Sequence, residues 1–350
     1  MKVMHDVPLA EHTSLRAGGK AQKLVLLEPG DKLAEVIATQ KANGPVWVLG
    51  FGTNCLISDK GLPGAVVLNQ TGRIEEVGPG RFRVDSGVNW DDFVQKVIER
   101  GLWGLEFTSG VPGGVGAAVA GNIAAYGHKI ADTFVEATML NSANGLTEIW
   151  DKTRFGFDYR DSNLQLPRNR PMVILDATFE LNQNSGSDLQ YESALKVARE
   201  LGITPDSLAN RRKIILETRR RASSLLVDQS AGPWTAGSFF KNPLVSEQQA
   251  QVVIAYEENN VTKDQILRQN LIHGQDKRRV SAALVLLAAG FSRGQSWDEV
   301  RLNPDHILKI ENMGNASAQE IFAVVQNIIA AVREKLDITL EPEVRFLGDF

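Results

Sequence analysis

The chain has 350 residues, 43% of them hydrophobic and 23% charged, with a formal net charge of −4 at pH 7. That length exceeds one ordinary core, so two or three domains are expected. The charges are interspersed without a basic stripe, so nothing favours a nucleic-acid or anionic-membrane partner and none is expected, which leaves phosphate ligands open.

In chain order, the N-terminus reads MKVMHDVPLAEHTSLRAGG. It lacks the apolar stretch of a secretory signal, and no later run is long enough to cross a bilayer, so a cytoplasmic protein is expected. Lys23 to Leu27 reads as a strand and Asp31 to Asn43 as a helix closed by Gly44. Val46 to Leu49, Ala65 to Leu68 and Arg81 to Asp85 read as further strands, giving a βαβ beginning. A helix follows from Trp90 to Arg100, with Asn89 as N-cap and Phe93, Val94, Val97 and Ile98 inward. Leu105 to Gly127 is almost all small residues. Phe134 to Leu140 and Met172 to Leu181 read as strands, Tyr191 to Leu201 and Pro205 to Ala222 as helices. A polar linker, DQSAGPWTAG, opens the last third, followed by an apolar segment at Ser281 to Ala289. Ser317 to Lys335 is a helix with a capping box, Ser317 and Glu320, and Ile321, Val325, Ile328 and Val332 on one face. The tail ITLEPEVRFLG reads as a strand. The single cysteine, Cys55, allows no intramolecular disulfide and reads as a small buried hydrophobe. The histidines at 5, 12, 128, 273 and 306 never fall at i, i+4, so no metal site is expected.

Five segments carry candidate chemistry. Gly50-Phe51-Gly52-Thr53-Asn54 follows a strand, where glycines let N–H groups approach a phosphate. The bland alternative is a tight turn. Val111 to Asn122, with Gly113, Gly114 and Gly116, reads as close packing or as a second phosphate cradle. Two such turns favour a diphosphate-bearing ligand. In Tyr159-Arg160-Asp161-Ser162 the Arg fork suits a carboxylate, or pairs with its neighbour. Ser238, in Gly237-Ser238-Phe239-Phe240-Lys241-Asn242, caps a turn or donates a proton, and no nucleophile elbow surrounds it. In Glu341-Pro342-Glu343-Val344-Arg345, Glu343 and Arg345 would share one strand face.

Together and in this order, HTSLRAGG, LGFGTN, EFTSGVPGGVGAAVAGNIAAYG, FDYRDS, AGSFFKNP and LEPEVRF resemble the UDP-N-acetylenolpyruvoylglucosamine reductase family over nearly the whole chain. The last three are the most specific. The resemblance implies an α+β protein. It has an FAD-binding fold of the vanillyl-alcohol-oxidase/PCMH type in two subdomains, 1–72 and 73–226, and an α+β substrate-binding domain, 227–336, with the tail 337–350 returning to the site. It implies non-covalent FAD on Gly50, Phe51, Gly52, Thr53, Asn54, Pro112, Gly113, Gly114, Gly116, Ala117, Asn122 and Ile123. NADPH is implied as co-substrate, UDP-N-acetylglucosamine enolpyruvate as substrate and peptidoglycan precursor synthesis as the role; a monomer is expected.

By motif position, Arg160, Ser238 and Glu343 carry over as catalytic. Hydride would go from flavin N5 to the enolpyruvyl β-carbon and a proton from Ser238 to the α-carbon. Arg160 and Glu343, the latter as a neutral acid, would stabilise charge on the substrate carboxylate. Tyr126, Tyr159, Tyr191, Arg220, Lys241, Asn242 and Arg345 are the implied substrate contacts. The chain departs from the family at a usual Lys after the Arg, where it reads RRRASSLL, near Ser223. The alternatives are a catalytically silent flavin- or UDP-sugar-binding relative, an oxidase on the same fold, and a nucleotide-binding protein without flavin.

Overall fold

Strands alternate with helices at the N-terminus because short β-branched runs are separated by one amphipathic stretch. The computed structural model describes residues 1–184, 186, 188–226, 232–256 and 278–350. Lys20–Leu26 and Leu62–Leu68 lie parallel, as do Val46–Leu49 and Leu62–Leu68, and Lys2–Pro8 completes a four-stranded sheet. The Leu33–Lys41 helix buries Leu33 and Ile37 with Val25, Leu27 and Val67. Leu140 joins this cluster from a second sheet, so the two sheets share a core.

The second sheet is antiparallel throughout, in the order Thr147–Asp151, Phe134–Asn141, Met172–Glu180, Arg81–Asp85, Ile74–Gly78. Against it packs the Trp90–Glu99 helix, burying Trp90, Phe93, Val94 and Val97 with Phe82, Phe134 and Phe179. Asn89 Oδ1 accepts from the N–H groups of Asp91 and Asp92, the expected cap. The Glu192–Leu201 and Leu208–Arg221 helices close a smaller cluster around Phe107, Val197, Ile214 and Ile215.

These elements form one of two units, Met1–Val7, Ala21–Gly52 and Leu62–Val227; the other comprises Pro8–Lys20, Thr53–Gly61 and Asp228–Phe350. The second unit carries the antiparallel sheet Trp234–Ser238, Lys309–Asn312, Val300–Leu302, Ser296–Trp297. Its core is built by Val285, Leu286, Ile310, Ile321, Val325 and Ile328. The Ala318–Leu336 helix has the expected capping box at Ser317 and Glu320.

Two expectations are corrected. The linker's second half is a strand, Trp234–Ser238, because pairing with Lys309–Asn312 supplies the order its glycine-rich sequence lacks; residues 228–231 of that linker lie outside the described residues, as does His273. The tail strand is only Arg345–Leu347, parallel to Cys55–Ile57. Glu343 precedes it, so no strand face holds Glu343 and Arg345 together. Cys55 is buried, and burial pushes its thiol up to about 12. Among the described residues no helix is long and apolar enough to cross a membrane.

Candidate active site

In the first unit the two glycine-rich turns come together. A Cβ on Gly114 would lie 3.3 Å from the Phe51 ring and 3.1 Å from the Ser86 carbonyl oxygen, a tight fit that glycine relieves. A Cβ on Gly116 would lie 2.8 Å from Ser86 Cβ. Backbone bonds pin the turn's exit: Val115 N–H to Val88 O at 2.9 Å and Gly116 N–H to Ser86 O at 2.8 Å. By contrast the N–H groups of Gly50, Phe51, Gly52, Gly113 and Gly114 have no protein acceptor among the described residues. Gly52, Gly113 and Gly114 are buried. Buried orphan donors on side-chain-free positions suit a polyanion such as the diphosphate of FAD, so these residues fit that cofactor. Pro112 is half-buried and Ala117 exposed beside them. Asn122 is spent inside the protein: its Nδ2 donates to Asp158 O at 2.8 Å and its Oδ1 accepts from Ala131 N–H at 3.1 Å. Ile123 is packed against the apolar core.

Next to this lies a cationic and aromatic cluster. Arg160 Nη2 donates to Ala124 O at 2.9 Å, and Ser162 Oγ to Ala120 O at 2.8 Å, which fastens the Tyr159–Ser162 turn to the chain on both sides of Gly121. Tyr159 is half-buried on that turn, its N–H donating to Asp158 Oδ1 at 2.6 Å. Tyr126 meets Tyr191 edge to face, with centroids 5.4 Å apart. Burial raises the Tyr126 hydroxyl above its ordinary value, although the Arg219 guanidinium that hydrogen-bonds it pulls the other way. Burial likewise lowers Arg219, against the opposing pull of Tyr126 and Asp91. Asn122, Tyr126, Arg160 and Ser223 all have left-handed backbone, φ +41, +50, +51 and +50°, a conformation non-glycine residues keep mainly where surroundings impose it.

The structure brings Arg219, not Arg220, into this cluster. The Arg220 side chain is 62% exposed and paired with Glu217 at 2.7 Å. The signal was present in the sequence: Arg211, Ile215 and Arg219 are four apart on the helix face that buries Leu208, Ile214 and Thr218.

In the second unit two distant motifs clasp. Glu343 N–H donates to Phe239 O at 2.7 Å, Lys241 N–H to Glu341 O at 2.9 Å, and Phe240 bridges Pro342. Ser238 and Glu343 therefore lie on adjoining backbones. Ser238 stands opposite Lys309 across the sheet, and its hydroxyl makes no hydrogen bond among the described residues. Asn54 joins the clasp, its Nδ2 donating to Glu343 O at 3.3 Å and its carbonyl accepting from Arg345 N–H at 3.1 Å. Thr53 O accepts from Ser14 Oγ at 3.4 Å. Lys241 Nζ lies 3.8 Å from Glu341. Asn242 is structural on one side: its Oδ1 accepts from Ala282 N–H at 2.9 Å and its carbonyl from Arg279 Nη1 at 2.7 Å.

Residues 228–347 match the family model of the UDP-N-acetylenolpyruvoylglucosamine reductase C-terminal domain, and residues 21–149 match an FAD binding domain. A UDP-N-acetylenolpyruvoylglucosamine reductase of Thermobifida fusca is 32% identical over 353 residues, spanning 98% of this chain and 97% of its own. That of Nocardia farcinica is 34% identical over 355 residues, spanning 99% and 90%. A crystal structure of UDP-N-acetylenolpyruvylglucosamine reductase from Thermus caldophilus matches with a TM-score of 0.62 at 21% identity, covering 99% of this chain and 100% of that one. This last likeness shows a common fold.

Proposed function

The chain belongs to the UDP-N-acetylenolpyruvoylglucosamine reductase family, and from that premise we propose that it reduces UDP-N-acetylglucosamine enolpyruvate to UDP-N-acetylmuramate. In this reading it is a cytoplasmic monomer of peptidoglycan precursor synthesis, with non-covalent FAD and with NADPH as electron source. The observation that carries the reading is the clasp in the second unit. Two motifs a hundred residues apart in order of magnitude meet there, and they bring the hydroxyl of Ser238 and the carboxyl of Glu343 to neighbouring backbones.

Gly50, Phe51, Gly52, Gly113 and Gly114 would hold the FAD diphosphate on backbone N–H groups. The chemistry FAD supplies when bound is two-electron: a hydride accepted from NADPH and a hydride delivered from N5 to the enolpyruvyl β-carbon. The chain's own residues handle the charge and the proton. As the β-carbon gains hydride, negative charge grows on the substrate carboxylate. Arg160, with its planar fork of donors, meets that charge bidentately. Glu343 gives the same carboxylate a second donor. Ser238 Oγ passes its proton to the α-carbon; an alcohol is acidic enough only against a strongly basic carbon in a site closed to water. By motif position Tyr126, Tyr159, Tyr191, Lys241, Asn242 and Arg345 are assigned to the UDP-sugar, and Arg219 takes the place of Arg220 among them.

Turnover in deuterated water tests the assignment. The expected product carries two added hydrogens, with one solvent deuterium at the α-carbon of the lactyl group. No reduced sugar nucleotide, or product without that deuterium, contradicts it.

A further inference from the structure

The peptide at Gly110, at the entrance to the Val111–Gly114 turn, is gripped from both sides. Its N–H donates to Asp91 Oδ1 at 2.6 Å, and its carbonyl accepts from Arg219 Nε at 3.1 Å. Asp91 is in turn held by Arg212, Nη1 to Oδ1 and Nη2 to Oδ2, both at 2.7 Å. This two-bond fork fixes orientation as well as distance. Asp91 sits in the first turn of the Trp90–Glu99 helix, where its own N–H bonds Asn89 Oδ1 at 2.9 Å. Burial acts to raise the Asp91 carboxyl, but hydrogen bonds from Arg212 and the Gly110 N–H outweigh it and hold the group below its ordinary value.

The approach is close. Gly110 has φ +71°, and a Cβ there would come within 2.6 Å of Leu225 Cδ2 and 2.8 Å of Leu216 Cδ2. The turn that follows has two features that work against order. Glycine backbone loses more conformational freedom on folding than any other, and the N–H groups of Gly113 and Gly114 are left without protein acceptors among the described residues. Such a segment presents its donors in one geometry only if something else holds it. Its exit is pinned by the backbone at 86–88. Its entrance is pinned by Asp91, with Arg212 behind it and Arg219 opposite.

We propose that Asp91 and Arg212 are positioning residues for the cofactor: their pair locks the Gly110 peptide and so pre-orients the Gly113 and Gly114 N–H groups toward the FAD diphosphate. The inference rests on the FAD reading of that turn. Its energetic content is pre-organisation, which strengthens binding by lowering the ordering cost at the moment of association. The adjacent buried pair, Arg211 and Glu106 at 3.1 Å, holds the same helix but reaches Gly104 N–H instead of Gly110.

Release of FAD from the holoprotein on dilution, followed by flavin fluorescence, tests the proposal. Asp91→Ala and Arg212→Gln should weaken FAD binding about tenfold or more. Asp91→Asn keeps an acceptor for the Gly110 N–H without the charge pair and should fall between these and wild type. Arg212→Lys, a cation without the fork, should recover only part of the loss. Glu217→Gln, which removes the partner of Arg220 and one of the two partners of Arg221 on the outer side of the same helix, should release FAD as wild type does. FAD affinity within about twofold of wild type in Asp91→Asn and Arg212→Gln, with or without a lower melting temperature, would overturn the proposal. A wild-type protein that takes up no FAD would sink the cofactor reading itself, and this inference with it.

Discussion

Ser238 is the residue on which the proposed chemistry turns. Ser238→Ala should keep bleaching of the flavin by NADPH and slow its reoxidation by the enolpyruvyl sugar by about 10²–10⁴; equal rates in both half-reactions would remove Ser238 from the role. Glu343→Gln retains a hydrogen-bond donor that Glu343→Ala lacks, so the Gln variant should turn over faster than the Ala variant in steady-state assays. Arg160→Lys keeps charge but loses the planar fork, and about a tenfold loss of kcat is expected. Arg219 and Arg220 form a paired test of the helix face. Arg219→Ala should raise KM for the sugar nucleotide about tenfold, whereas Arg220→Ala, removing an exposed pair with Glu217, should change it little. A motif singles out Ser238 in the sequence, and the structure sets that residue at the end of Trp234–Ser238, opposite Lys309. Between adjacent arginines only the helical face decides, and that depends on which side of Leu208–Arg221 meets Gly110 and Tyr126.

Helices that carry their own caps were readable before any contact was known. Ser317 accepts from Glu320 N–H and Glu320 answers to Ser317 N–H, a closed local arrangement. Ser317→Ala should cost about 1 kcal/mol in equilibrium unfolding. Val46–Leu49 and Arg81–Asp85 were equally plain, as short runs bounded by glycine or a turn. Trp234–Ser238 was not, since nothing local in Trp-Thr-Ala-Gly-Ser favours a strand and its partner lies some seventy residues on, at roughly the scale where only tertiary pairing decides. The segment joining Val300–Leu302 to Lys309–Asn312 carries His306, which burial, aided by the charges of Lys309 and Arg293, pushes down to about 4 from an ordinary 6.5. The fold therefore favours the neutral ring. Its contribution is complete above pH 6.5 and is lost as pH falls toward 4, because the unfolded chain takes up a proton that the folded one refuses. The loss from this group is at most about 3 kcal/mol. His306→Asn should flatten the dependence of unfolding free energy on pH between those limits, and an unchanged slope would assign the acid sensitivity elsewhere.

The whole molecule divides differently from the order of its sequence. Residues 8–20 and 53–61 group with the C-terminal third. The reasons are long-range: Asn312 Nδ2 donates to Leu15 O at 2.9 Å, and Asp59 accepts from the N–H groups of Ala318 and Gln319 at 2.9 and 2.8 Å, satisfying the start of that helix. No periodicity announces an acidic residue capping a helix so far along the chain, so a reading in chain order leaves residues 8–20 and 53–61 with the N-terminal segment. A ligand that binds only the folded chain stabilises it, and FAD at about 100 times its dissociation constant should add about 2.7 kcal/mol, visible as a higher melting temperature. The most direct measurement is the visible spectrum of the purified holoprotein, mixed anaerobically first with NADPH and then with UDP-N-acetylglucosamine enolpyruvate. The account predicts loss of the flavin band on adding NADPH and its return on adding the sugar nucleotide. Bleaching without return would leave a flavoprotein with another acceptor and would contradict the proposed reaction.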